Sequence, residues 1–116
     1  VTIPAQIAAL IEQINQNLAQ IEIEATEGLN FSRAILDRFP NNAKIIQFFA
    51  SFNNAILFVE LQRRRIISIV QNFSTTDTTT EAEIQEVGED LSEELGRVIE
   101  TKLLIHNLKQ RLEELL

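Results

Sequence analysis

The chain has 116 residues, no Cys, Met, Trp or Tyr, and a formal net charge of −7. Without Cys there is no disulfide framework, no thiolate metal site and no Cys nucleophile, which suits a reducing, cytoplasmic setting. An apolar share of 45% belongs to a folded protein rather than a disordered one, and the acidic balance repels nucleic acid at long range.

The first predicted element is a helix over about residues 3–38. Thr2 is placed to cap it, and Pro4 is tolerated in a first turn. Its apolar seam steps by fours and threes through Ile7, Ile11, Ile14, Leu18, Ile21 and Ala25, the spacing of a helix laid along another helix. The seam weakens at Gly28 and Ser32 and recovers at Ile35. Glu27-Gly28-Leu29-Asn30 is the one place where this helix can kink or break. A continuous helix that absorbs the Gly is favoured, and a separate short helix from Asn30 to Arg38 is the rival.

Phe39-Pro40-Asn41-Asn42 is a turn, because the residue before Pro is pushed out of helical geometry and Asn caps well. A second helix follows over about 42–73, with Ile45, Phe52, Val59, Ile66 and Phe73 seven apart. Phe48, Phe49, Ile56, Phe58 and Val70 flank that seam, so this helix is expected to be covered on two sides. The run Ser74 to Thr80 disfavours helix. Thr80 and Glu83 then form a capping box that opens a third helix over about 80–115, with Ile84, Leu91, Val98, Ile105 and Leu112 as its seam.

These elements predict one all-α domain over 1–116: three long antiparallel, coiled-coil-like helices running up, down, up. Residues 1–40 carry a net −3, residues 41–74 a net +3 and residues 75–116 a net −7. That alternation predicts the second helix between the other two.

Arg63-Arg64-Arg65 is the sharpest charged feature. A hairpin centred near Asp77 sets Arg64 opposite residue 90, where Glu89, Asp90, Glu93 and Glu94 lie. Ion pairing is therefore favoured over phosphate contact, and at least one of three successive Arg must be solvated, since neighbours on a helix diverge by about 100°. Glu94 and Thr101 fall on the second seam line of the third helix, at a bundle edge or an oligomer contact. The run from Ile105 through His106, Asn107 and Leu108 to Lys109 resembles the phosphorylated helix of histidine phosphotransfer domains over four residues, although Gln110 stands where that pattern has Gly. The resemblance implies a phosphate-accepting role for His106. Glu-x-x-His pairing for a di-iron site is missing, because Leu103 precedes His106 by three.

No Gly-rich phosphate loop or nucleophile elbow is present. The sequence therefore reads as a non-enzymatic module without metal or cofactor. Ile23, Leu36, Leu57, Leu61, Ile67, Ile99 and Leu103 lie off the seams, and surplus apolar surface of this kind marks association. A protein partner or homodimer is expected, with Arg63, Arg64, Arg65, Ile99 and Leu103 as the candidate interaction residues. No apolar run approaches the roughly 18 residues of a spanning helix, so neither membrane insertion nor nucleic-acid binding is expected. The alternatives are a carrier of an apolar small molecule between Phe-rich helix faces and a His-based signalling module.

Overall fold

The computed structural model describes residues 3–75 and 79–115, with the backbone alone at Ser74 and Thr75. It contains three helices, α1 (Ala5–Arg38), α2 (Ala43–Thr75) and α3 (Glu81–Glu114). They lie side by side in a rod of 58 × 20 × 17 Å, the length expected of about 34 residues rising 1.5 Å each. Short connections make successive helices antiparallel, so α1 and α3 run the same way.

The helix starts follow local chemistry. Pro4 occupies the N-cap of α1, where its carbonyl accepts from the Ile7 and Ala8 amides at 3.1 and 3.0 Å. The cap expected of Thr2 lies outside the described residues. Asn42 caps α2 through Oδ1, which accepts from the Ile45 amide at 3.2 Å. Thr80 and Glu83 form the capping box on α3, with bonds of 3.1 and 3.3 Å. The centre of the α2–α3 connection, residues 76–78 and so the expected hinge at Asp77, lies outside the described residues.

The seams read from the sequence form the core. Ile7, Ile14, Leu18, Ile21 and Ala25 of α1 meet Ile45, Phe48, Phe52, Ala55, Val59, Ile66 and Phe73 of α2 and Leu91, Val98, Ile105 and Leu112 of α3, all buried. Ile11, inside the α1 seam, and Ile35 and Ile84, at the seam ends, are only partly covered.

The first helix does not break at Gly28. It continues to Arg38 because Gly28 and Ser32 are themselves buried contacts. A Cβ on Gly28 would lie 2.5 Å from the Phe52 ring, so the missing side chain is what lets α2 come close. Ser32 donates from Oγ to the Gly28 carbonyl at 2.8 Å, which satisfies its buried hydroxyl inside the helix.

The order of the helices differs from the sequence expectation. The central helix is α1, which packs closely along both others, whereas α2 and α3 approach each other at few points. Net charge per segment misled because the charges of α3 are unevenly placed. Seven acids and no base crowd Glu81 to Glu94, while beyond them Arg97, Lys102, Lys109 and Arg111 outnumber Glu100, Glu113 and Glu114. The basic half of α3 lies beside the acidic middle of α1, where His106 meets Glu24 and Lys109 meets Glu27. Small residues on α1, Ala25 and Gly28 among them, also allow close approach that the bulkier α2 does not.

Candidate functional site

The three arginines separate, as helix geometry requires. Arg63 pairs with Glu22 of α1. Arg65 reaches Glu94 of α3 at 3.4 Å between Nη1 and Oε1. Arg64 is exposed, and no carboxylate among the described residues pairs with it. Only one Arg thus meets the acidic strip of α3, and at a shifted height. A hinge at Asp77 sets Arg65 opposite residue 89, yet its partner is Glu94, about five residues or 7.5 Å further along α3.

These pairs fix the faces of each helix. Arg63 and Phe49, which carries Arg33 of α1 at 5.9 Å above its ring, mark the flank of α2 that turns to α1. Arg65 marks the opposite flank, toward α3. On α3, His106 and Lys109 mark the α1 side and Glu94 the α2 side. The row of α3 facing α2 reads Val87, Glu94, Thr101, Leu108, and its two polar members give α2 little to pack on.

Glu94 is 3% exposed. Its Oε1 accepts from both Arg65 and Arg97, while Oε2 is buried without a hydrogen-bond partner. A buried carboxylate whose second oxygen is unmatched retains part of its desolvation cost. Both arginines are about half exposed and can return to water. Glu94→Leu is therefore expected to raise stability by about 1 kcal/mol, read as a higher denaturation midpoint in urea. A loss of about 1 kcal/mol or more would show that the arginine pairs outweigh the burial.

Lys109 is held by Glu27, and its ammonium pKa is raised above the ordinary value, first by that hydrogen bond and then by the charges of Glu27, Glu113 and Glu24, against a lowering by burial. A raised folded pKa adds stability that is fully present below the unfolded value of about 10.4 and is lost as pH climbs through the folded one. The stability gap between the native chain and Lys109→Met should stay level from about pH 8 to 9.5 and close as pH climbs beyond about 10.4 through the raised folded value. A gap that persists at the higher pH would assign Lys109 a packing role instead.

His106 is exposed, with Nδ1 2.8 Å from Glu24 Oε1. A carboxylate there opposes an incoming phosphate. No group of three or more metal-ligating side chains converges among the described residues. Phe48 and Phe52 are buried, with ring centroids 6.4 Å apart, so they fill the core. An open hollow of about 510 Å³ lies instead at the bundle end by the first turn, where Phe31, Ile35, Phe39 and Ile45 stand beside Arg38 and Lys44.

Apolar side chains that the core leaves outside gather at mid-height. Since Arg65 and Glu94 stand level, Leu57 and Leu61 of α2 stand level with residues near 102 and 98 of α3, where Ile99, Leu103 and Leu104 lie. All five are between 39% and 63% exposed. Leu104 escapes sequence reading because it belongs to the gap between α2 and α3, whereas Leu57 and Leu61 are among the off-seam residues legible in the sequence. The interrupted row of Glu94 and Thr101 was the only signal of that gap. The stretch Ala43–Phe73 is, by length and composition, apolar enough to cross a membrane, and 28% of its most apolar window is buried in the bundle.

No family model, curated protein or solved structure matches the chain.

Proposed function

We propose that this chain is a non-enzymatic helical interaction module that works by helix-on-helix packing against another protein surface in a reducing compartment. One observation carries the reading: Leu57 and Leu61 of α2 and Leu103 and Leu104 of α3 are exposed at one height, with Ile99 exposed on the α1 side of α3. Helices that present apolar residues outward recognise other helices through such rows. The free Arg64 and the acidic edge of α3 supply a polar rim.

The test is affinity purification from the native cells with the chain and with Leu57→Asp/Leu103→Asp. A protein recovered in fixed proportion with the native chain and lost from the variant, at equal helicity, is the expected result. Identical recoveries would remove the reading. A second reading rests on the hollow by the first turn, whose apolar walls and two cations suit an apolar molecule with an anionic head. A long-chain carboxylate that raises the melting temperature of the native chain but not of Arg38→Glu/Lys44→Glu would favour it.

A further inference from the structure

The polar side chains that line the hollow at the first-turn end are Arg38, Asn42 and Lys44, and each presents a donor. Arg38 and Lys44 are exposed and pair with no carboxylate among the described residues. Asn42 directs Oδ1 to the Ile45 amide, which leaves its NH2 group as the end free to donate. No carboxylate among the described residues lines the hollow. Asp37 and Glu114, next in sequence to Arg38 and Leu115, are exposed and lie outside the lining. A lining of donors alone fits a ligand that only accepts.

Lys44 adds an independent reason. It stands in the first turn of α2, at the positive pole of the helix dipole, where a cation is unfavourable, and that turn holds no acid. The third helix opens the opposite way, with Glu81 and Glu83 in its first turn. Arg38, in the last turn of α1, suits its own dipole without a ligand, so Lys44 is the residue that calls for an anion. The apolar wall begins beside these cations. Phe31, Ala34 and Ile35 share a face of α1 with Arg38 over two turns, about 10 Å, and Phe31 and Leu115 are 43% and 51% exposed.

We propose that this hollow takes a single-tailed amphiphile whose head is a phosphate monoester, an inference that rests on the second reading above and names the head group. A phosphate monoester carries about −1.5 to −2 charges at pH 7 and three acceptor oxygens, enough for two cations and an amide. A carboxylate has one charge and leaves a cation unmatched. With the head between Arg38 and Lys44, the tail lies along α1 over Ile35 toward Phe31, a single row that covers a single tail. The chain's negative charge does not bar the anion. The acids between Glu81 and Glu94 lie at least 21 residues of α3 from Leu115, about 30 Å, against a screening length of about 8 Å.

The experiment is isothermal titration of the purified chain with dodecyl phosphate, dodecanoate and inorganic phosphate, the amphiphiles kept below their micelle concentrations. Dodecyl phosphate should bind one per chain, about tenfold or more tighter than dodecanoate. Inorganic phosphate, lacking the tail, should bind about a hundredfold or more weaker than dodecyl phosphate. Arg38→Gln and Lys44→Gln should each weaken dodecyl phosphate about tenfold. Lys44→Gln should at the same time raise the melting temperature of the empty chain by about 1–4 °C, because it removes a cation from the pole of α2. Equal affinities for dodecyl phosphate and dodecanoate overturn the phosphate head and leave the second reading standing, whereas no binding of either overturns both. Unchanged binding by Lys44→Gln, or a lowered melting temperature of its empty form, overturns the clamp. Binding to vesicles containing phosphatidate, with none to monomeric dodecyl phosphate, assigns this end to a membrane surface and overturns the single-molecule site.

Discussion

Val59→Asp is expected to unfold or nearly unfold the domain, while Leu57→Asp, two residues away on the same helix, leaves it intact. Val59 is 0% exposed and Leu57 is 50% exposed, because two residues on a helix turn the side chain by about 200°. At Val59 the carboxylate enters the core with no cation or donor to meet it, a cost of about 3–5 kcal/mol. A domain of this length holds only about 6–15 kcal/mol in total, so the midpoint must fall steeply. At Leu57 the carboxylate stays in water, and the change is about 0.5 kcal/mol or less. Urea denaturation of both variants reads the contrast. Equal losses would mean that the face of α2 has been assigned wrongly.

The second large effect concerns two glycines with opposite outcomes. A methyl on Gly28 meets the Phe52 ring at 2.5 Å, and Phe52 is 0% exposed and cannot swing away. Overpacking of this kind costs about 1–3 kcal/mol. The gain in helix propensity of Ala over Gly returns about 1 kcal/mol, leaving a net loss of up to about 2 kcal/mol for Gly28→Ala. Gly96 has nothing within 4 Å of its would-be Cβ, so Gly96→Ala keeps the propensity gain and stabilises by about 0.5–1 kcal/mol. Phe52→Leu withdraws the obstructing ring, so Gly28→Ala in that background should cost less than in the native chain. Equal costs in the two backgrounds would dissociate Gly28 from Phe52.

Periodicity disclosed the elements and nearly all of the core, because burial on a helix repeats with the backbone. It could not disclose pairing. Gly28 is visible in the sequence as a weak point, yet its role as the landing place for Phe52 depends on which helix lies opposite. The central position of α1 was hidden in the same way. Summed charge pointed to α2, while His106 and Lys109 act locally on Glu24 and Glu27 from a helix whose net charge is negative. The run of three arginines had to diverge, and it does; the partners of Arg63 and Arg65 depended on a register set by a connection whose centre the periodicity does not reach. The surplus apolar residues were legible one by one. Their assembly at one height was not, since Leu57 and Leu103 come level only once Arg65 and Glu94 fix the stagger of α2 against α3.

The packing of α1 between the other two helices underlies every face assignment made here, and two nuclear Overhauser contacts test it directly. A Cβ built on Gly88 of α3 lies 3.6 Å from Ile7 Cδ1, and one built on Gly28 lies 2.5 Å from the Phe52 ring. The Gly28 α-protons should therefore show cross-peaks to the Phe52 ring and a ring-current shift, and the Gly88 α-protons should show cross-peaks to the Ile7 δ1 methyl. Gly28 without an aromatic contact, or Gly88 contacting methyls of α2 in place of Ile7, would contradict the arrangement.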